Sequence, residues 1–253
     1  MKLSKNQKIF FHENGYFIIK DYINIKILNE IQSALKVMLN SYLTKKENKL
    51  ENAINIAEKI NHKFVYNCQK IITSSESGIK LVSSLNLAKI YQELYEVRSN
   101  QIHFQPLQTP IQFPSDTRFD FKWHQESGSY NGFSKILTCW FPILNKVNKK
   151  NGSVSLIPKS HLVGKRKSSF YKKKSGLRDW RIKISKEEEK KSFTAQMKPG
   201  DILIFDSDIV HKSVKNLSNK IRITGIVRCL DLLSRKEILP LVEATDTSLG
   251  VQK

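Results

Sequence analysis

His124, Glu126 and His211 are the residues of this sequence whose types and spacing could bind one metal ion. The first two lie in a β-rich stretch, and residues two apart on a strand point to the same side. We therefore expect His124 and Glu126 to reach a common ion, with His211 joining them from a later strand. Two imidazoles and one carboxylate leave three octahedral positions open on Fe(II) for a co-substrate and oxygen. The alternative for each histidine is a buried ring with one backbone hydrogen bond, but the pair together with Glu126 favours a metal-dependent oxygenase.

Arg222 follows His211 by eleven residues, on an otherwise apolar stretch that predicts a buried strand. A buried guanidinium needs an anionic partner, and its planar fork suits a carboxylate. A dicarboxylate co-substrate could chelate the metal at one end and contact Arg222 at the other. The alternative is an internal salt bridge with one of three aspartates, Asp206, Asp208 or Asp231. Strand alternation puts Arg228 on the same face as Arg222, where it either points inward or caps the strand end.

The elements that must position these residues change in character along the chain. The capping-box residues Ser4 and Gln7 predict a helix over 4–13, which Gly15 follows. A strand is predicted over 16–19, and helices over 24–43 and 47–73, so that 1–95 is mainly helical. Short β-rich runs follow. They lie at about 98–105, 119–127, 135–143, 153–158, 193–197, 201–206, 209–215 and 221–230.

Strands in this number and order predict an α+β fold, a double-stranded β-helix (a cupin-like jelly-roll barrel) with the N-terminal helices packed on one sheet. We expect one domain over 1–253, with a jelly-roll core at 96–232 and a C-terminal tail at 233–253. The basic segment 164–192 is predicted to be a long loop or insertion near the barrel mouth.

Composition sets limits on the class of protein. A chain of 253 residues with 40% hydrophobic content can bury the core of a single domain. Its apolar runs are too short for a membrane span, and the N-terminus lacks the apolar core of a signal peptide. Cys68, Cys139 and Cys229 are widely spaced and odd in number, which is typical of free thiols in a reducing compartment. These features predict a soluble cytoplasmic protein, and none of them indicates an oligomeric state.

The net charge of +20 raises the question of an anionic partner. Lysine is abundant along the whole chain, and neither zinc-finger spacing nor an RNA-binding aromatic signature accompanies it. A solvated surface is the favoured interpretation, attraction of a small anionic substrate the second, and nucleic acid or a membrane surface the third.

Four segments in order resemble the phytanoyl-CoA dioxygenase-like family of Fe(II)/2-oxoglutarate oxygenases. The first, 11–21, resembles the family's helix–glycine–strand start, and the second, 123–126, its first metal motif. The third, 151–164, resembles its Asn-Gly to Ser-His-x-x-Gly segment. The last, 211–222, resembles the region of the distal histidine and the co-substrate arginine. The likeness covers nearly the whole chain and is weakest across roughly 25–95 and 165–195.

The resemblance implies a role for each matching residue. His124, Glu126 and His211 would ligate iron, and Arg222 would bind the distal carboxylate of 2-oxoglutarate, with O2 as the other co-substrate. Three further residues match the co-substrate pocket: Ser213 as a hydroxyl partner, and Gln101 and Trp140 as lining. Trp140 could equally be a core residue.

The sequence departs from the family pattern at Glu126, where aspartate is more common, and at Gln105 and Lys159. A carboxylate ligand argues against a halogenase, which needs that position vacant. The expected activity is hydroxylation of an unactivated C–H bond in a small, polar or anionic metabolite, with release of succinate and CO2. The alternatives are a catalytically lapsed binding or regulatory protein on the same barrel and a nucleic-acid-modifying oxygenase.

Overall fold

The computed structural model describes residues 2–129, 135–173 and 178–234, so most of the predicted tail lies outside the described residues. The helices are α1 (Lys5–Asn14), α2 (Ile25–Tyr42), α3 (Leu50–Ile60), α4 (His62–Ile71), α5 (Glu76–Ser84), α6 (Leu87–Tyr95), α7 (Glu126–Ser129) and α8 (Lys186–Lys190). The strands are β1 (Tyr16–Ile19), β2 (Ile102–Phe104), β3 (Ile111–Gln112), β4 (Leu137–Leu144), β5 (Val154–Ile157), β6 (Ser168–Lys172), β7 (Arg178–Ile182), β8 (Phe193–Thr194), β9 (Ile202–Asp206), β10 (Val210–Ser213) and β11 (Arg222–Asp231).

The N-terminal helices begin and end where local chemistry predicts. The Ser4 hydroxyl accepts a hydrogen bond from the Gln7 backbone while the Gln7 side chain accepts from the Ser4 backbone, which completes the predicted capping box. Gly15 ends α1 in the left-handed region at φ 80°. The prediction for 24–43 is confirmed by α2. The prediction for 47–73 yields two helices, because Asn61 ends α3 and its side chain caps α4.

Two antiparallel sheets face each other, which confirms the predicted α+β jelly-roll arrangement. The larger sheet runs β1-β9-β4-β11-β2, with β3 also paired to β11, and the smaller runs β10-β5-β8. The helices cover the outer face of the larger sheet, and Gln32 of α2 donates to the Ile143 carbonyl of β4. Side chains of both sheets, including Trp140, Leu156 and Phe205, meet between them. Within the described ranges, no helix is long and apolar enough to cross a bilayer.

The prediction of a strand over 119–127 is wrong. His124 makes one isolated β-bridge, to His211, and Glu126 begins the short helix α7. The chain turns here because the Gln125 side chain donates to two carbonyls far away in sequence, those of Gly164 and Asp208.

Of the two alternatives for 164–192, the loop is wrong, because this segment contains the β6–β7 hairpin and α8. The hairpin forms a two-stranded sheet of its own, as the alternative of an insertion between strands requires. Its β-forming residues, such as Phe170 and its cross-strand partner Trp180, alternate with lysines and arginines that hide the strand pattern. The hairpin packs beside α7, since a Cβ placed on Gly128 would lie 3.6 Å from the Ser168 hydroxyl.

Candidate metal centre and co-substrate pocket

The two histidines of the predicted metal site are held together by their own backbones. The His124 N–H donates to the His211 carbonyl at 2.9 Å, and the His211 N–H donates back to the His124 carbonyl at 3.0 Å. Their ring centroids lie 4.1 Å apart. The structure therefore brings His124 beside β10 although no continuous strand carries it there.

Both imidazoles are oriented through their Nδ1 atoms. His124 Nδ1 lies 2.6 Å from the Lys122 carbonyl oxygen, and His211 Nδ1 lies 3.0 Å from that of Ile209. A carbonyl can only accept, so each Nδ1 carries a proton, which leaves Nε2 as the ring nitrogen available to ligate a metal. This carbonyl support is the usual arrangement around histidines that ligate metals. Burial, followed by the neighbouring His211, lowers the pKa of His124 to about 3, so its ring is neutral at physiological pH.

Glu126 completes the cluster from the first turn of α7. One carboxylate oxygen lies 3.7 Å from His211 Nε2, and one donor atom from each of the three residues falls within 4.8 Å of the other two. Burial raises the pKa of the Glu126 carboxyl, but the charge of Arg228 and the contact with His211 outweigh this and lower the pKa well below its ordinary value. Two imidazoles and one carboxylate fit a divalent transition metal.

The loop before β10 fixes α7 and thereby the position of Glu126. The Gln125 amide donates to the Asp208 carbonyl at 2.7 Å, and the Ser127 N–H donates to the Ser207 carbonyl at 3.2 Å. The Ser127 hydroxyl also donates to the Asp208 carboxylate. The residues on both sides of Glu126 are thus bound to the segment that leads into His211.

Arg222 lies at the start of β11 and is 5% exposed. Its Nε and Nη1 atoms are buried without a hydrogen-bond partner, and no carboxylate within the described ranges forms an ion pair with it. Burial lowers the pKa of Arg222 to about 10. A buried, unpaired guanidinium fits an anion supplied from outside the chain, such as a co-substrate carboxylate.

The three aspartates of the internal salt-bridge alternative have other partners. Asp206 accepts from the Tyr95 hydroxyl at 2.5 Å, Asp208 accepts from Ser127, and Asp231 accepts from the Leu233 backbone at 3.0 Å. The structure thus gives no support to an internal salt bridge at Arg222.

The surroundings of Arg222 combine predicted and unpredicted residues. The Trp140 ring lies 5.8 Å from the guanidinium carbon and also packs in the core between the sheets, so Trp140 is a core residue, while its role in lining the co-substrate pocket stays a prediction. Gly152, at φ 86°, approaches so closely that a Cβ there would lie 2.9 Å from Arg222 Nη1. Gln112 is the cross-strand partner of Arg222, and its amide oxygen is buried without a partner, as is the Thr224 hydroxyl. Only the register of β3 with β11 identifies Gln112.

The other predicted pocket residues differ in position. Ser213 lies two residues after His211 on the same face of β10, as expected. Gln101 ends a short 3-10 helix ahead of β2, and its side-chain oxygen accepts from the Arg98 N–H at 2.8 Å. The structure gives Gln101 this local capping contact, and co-substrate binding by Gln101 or Ser213 stays a prediction.

Arg228 points inward, which decides between its two alternatives. Its Nε donates to one Glu126 oxygen at 3.0 Å and its Nη2 to the other at 2.9 Å, while Nη1 donates to the Gln108 side chain at 3.2 Å. This bidentate pair was not predicted, because Arg228 and Glu126 are 102 residues apart. Alternation on β11 could identify the inward face but not the partner.

Basic residues in and near the segments that carry the metal-site residues form ion pairs with carboxylates. Four such ion pairs join Lys122 to Asp120, Arg166 to Glu188, Arg181 to Asp179 and Lys212 to Glu189. The charges of these four cations are therefore balanced within the chain.

This chain resembles known proteins both in sequence and in fold. The sequence profile of the phytanoyl-CoA dioxygenase (PhyH) family matches residues 11–224. EctD from S. alaskensis, solved with 2-oxoglutarate and 5-hydroxyectoine, is 16% identical with a TM-score of 0.63, over 93% of this chain and 78% of that chain. EvdO2 from Micromonospora carbonacea var. aurantiaca, complexed with 2-oxoglutarate, is 9% identical with a TM-score of 0.64, over 91% of this chain and 92% of that chain.

A third similar structure is the epimerase SnoN, in complex with Fe3+, alpha ketoglutarate and nogalamycin RO. It is 12% identical with a TM-score of 0.61, over 90% of this chain and 83% of that chain. At these identities the likeness is one of fold, and it covers at least 90% of this chain in all three comparisons.

Proposed function

The chain belongs to the phytanoyl-CoA dioxygenase family of Fe(II)/2-oxoglutarate-dependent oxygenases, and we propose that it hydroxylates a C–H bond of a small molecule. His124, Glu126 and His211 hold the iron in this proposal, and Arg222 binds the distal carboxylate of 2-oxoglutarate. The observation that carries the proposal is the cluster of three donor atoms within 4.8 Å of one another. The unpaired guanidinium of Arg222 supports it independently.

Fe(II) with 2-oxoglutarate supplies activation of O2 for attack on a C–H bond, with release of succinate and CO2. The chain's own residues orient the metal ligands and the co-substrate and exclude water from the site. The carbonyls of Lys122 and Ile209 fix the two imidazoles, and one ligand atom from each ring lies within 4.8 Å of the other and of the Glu126 carboxylate. The Phe205 ring packs 4.7 Å from the His211 ring and keeps one side of the site dry. Arg222 offers its fork for a bidentate contact that sets the direction of the co-substrate.

Arg222 and Arg228 project from the same inner face of β11. Arg228 contacts the Glu126 carboxylate, and Arg222 lies six residues away at the start of the strand. In the proposal, 2-oxoglutarate chelates the metal with one end and turns its distal carboxylate toward Arg222.

We extend the proposal to a small polar substrate, with an anionic one preferred. The preference rests on the net charge of +20, which raises the local concentration of anions, and not on a specific cationic pocket. Comparing small anionic metabolites with neutral lipids of similar size in a succinate-release assay tests this. Faster turnover of the neutral lipids would remove the preference.

The test of the oxygenase site is an anaerobic titration with Fe(II) and 2-oxoglutarate, followed by the visible charge-transfer band of the chelate. We expect the band in the wild type and its loss in His211→Ala. Arg222→Met should retain iron binding but require much more 2-oxoglutarate to form the band.

Arg98→Met is the matched control, because Arg98 is exposed and should behave as wild type. A wild-type protein that binds no Fe(II) would instead favour the lapsed binding protein. Affinity for DNA or RNA that falls steeply with salt would favour the nucleic-acid-modifying oxygenase.

A further inference from the structure

Arg222 and Arg228 lie on one face of β11, but only Arg228 is paired with a carboxylate among the described residues. Arg222 is buried with unpartnered Nε and Nη1 atoms, whereas Arg228 forms a two-pronged contact with Glu126. Alternation along the strand points both side chains to the same face. Their different roles must therefore come from their different contacts. Arg222 suits an incoming anion, and Arg228 acts on an anion that the chain itself supplies.

The Arg228 contact leaves the Glu126 carboxylate able to bind a metal. A carboxylate has about four lone-pair sites, and a fork–fork contact with arginine occupies one on each oxygen. The oxygen that accepts from Arg228 Nη2 at 2.9 Å is the same oxygen that lies 3.7 Å from His211 Nε2. The fork therefore holds one Glu126 oxygen next to the second imidazole.

Glutamate needs such support more than aspartate does. Its side chain has one further rotatable bond, so an unrestrained carboxylate would populate several rotamers and be ordered only at an entropic cost. Arg228 is itself held by the Gln108 amide oxygen at 3.2 Å and by its place in the sheet opposite Thr138. A rigid strand thus defines where the Glu126 carboxylate lies.

We propose that Arg228 is a positioning residue that fixes the Glu126 carboxylate for metal binding and compensates for the longer side chain at this position. This inference rests on the proposed function, because it takes Glu126 to be a metal ligand. Outer partners that orient ligands contribute about 10- to 100-fold to metal affinity. The expected dependence on Arg228 is specific to glutamate, since an aspartate at this position falls short of the guanidinium by one methylene.

A double-mutant cycle on metal affinity tests the proposal. Mn(II) binding is measured by electron paramagnetic resonance of the unbound ion, without co-substrate, in wild type, Arg228→Met, Glu126→Asp and the double variant. We expect Arg228→Met to weaken Mn(II) binding about 10- to 100-fold with Glu126 present and less than about threefold with aspartate there, as coupled sites require. Arg228→Lys keeps the charge but not the fork, so we expect it to stay well below wild-type affinity.

Each outcome has one meaning. Equal losses in the wild-type and Glu126→Asp backgrounds, or wild-type affinity in Arg228→Lys or Arg228→Met, would overturn the positioning role. Arg98→Met controls for loss of a positive charge in general. If Arg228→Met does not fold, Arg228→Lys in both backgrounds completes the cycle. Failure of the wild type to bind Mn(II) contradicts the proposed metal site itself, which is a separate result.

Discussion

Replacing Arg222 by methionine should stabilise the ligand-free protein while weakening 2-oxoglutarate binding. Arg222 is 5% exposed, and its Nε and Nη1 atoms have no hydrogen-bond partner among the described residues, so the guanidinium charge is poorly compensated there. Methionine has a similar length and no charge. The substitution therefore removes the free-energy cost of a buried charge from the ligand-free protein. It also removes the guanidinium–carboxylate contact from the protein with 2-oxoglutarate bound.

The size of the effect follows from the pKa of Arg222, which burial lowers from 12.5 to about 10. This difference corresponds to about 3 kcal/mol against the charged form in the fold, at ~1.36 kcal/mol for each pKa unit. Both values lie well above 7, so the cost is fully present at neutral pH and is relieved only as pH rises through about 10. Imperfect packing of methionine offsets part of the gain. We expect the free energy of unfolding to rise by about 1–3 kcal/mol and Tm by about 2–12 °C.

In the protein with 2-oxoglutarate bound, Arg222→Met should lose more binding free energy than the removal of the buried charge gains in stability. Removing one partner of a buried charge pair costs about 2–5 kcal/mol, or roughly 30-fold or more in affinity. Thermal unfolding of wild type and Arg222→Met, each with and without 2-oxoglutarate and Mn(II), measures both effects, because ligand stabilisation follows its affinity. A lower Tm for ligand-free Arg222→Met, with exposed Arg98→Met unchanged, would mean that Arg222 has a structural partner and would refute the reasoning.

Three further variants test individual contacts. Gly15→Ala should destabilise the fold by several kcal/mol, because φ is +80° and a Cβ would lie 2.5 Å from His161 Nδ1; a urea titration that matches wild type would contradict this. Gly152→Ala should weaken 2-oxoglutarate binding more than Mn(II) binding, since its Cβ would lie 2.9 Å from Arg222 Nη1; equal losses in calorimetry would count against that placement. Tyr95→Phe removes the donor to Asp206, whose pKa is already raised by burial, and should cost about 1–3 kcal/mol at pH 7.5. The Tyr95→Phe cost should shrink as the pH falls and Asp206 takes up a proton, because the lost hydrogen bond stabilises the charged carboxylate. Urea unfolding at pH 7.5 and at a series of lower pH values measures it.

The elements that sequence predicts best are those set by local chemistry. The Ser4–Gln7 capping box marks the start of α1 within one residue. The apolar runs of β4, β9 and β11 mark the centre of the larger sheet, because strands buried on both faces need continuous apolar residues. The three metal-ligand candidates are also found from sequence, since their residue types are rare in combination.

The strand prediction around His124 and Glu126 is wrong because contacts between residues distant in sequence determine the local structure there. Strand spacing gives the correct pairing of His124 with Glu126 for the wrong reason: a backbone bridge to His211 and a helical turn bring the side chains together. That turn depends on Gln125, whose amide is bound to Gly164 and Asp208, residues that lie 39 and 83 positions away. Propensity within a short window contains no information about such partners.

Arg222 and Arg228 of β11 show what a sequence pattern cannot predict, namely the partner of each buried side chain. Alternation assigns Arg222 and Arg228 the same inward direction, and the family resemblance assigns a role to Arg222 alone. Whether a buried arginine binds a ligand or a side chain depends on which carboxylate the fold places within reach, and Glu126 is within reach of Arg228 only because α7 turns away from the strand path. The unpredicted turn at α7 therefore places Glu126 beside the two histidines. It also gives Arg228 a carboxylate partner within the chain, which Arg222 does not have among the described residues. A barrel with a straight strand at this point would lose the Glu126–Arg228 contact, and with it the order of its carboxylate ligand.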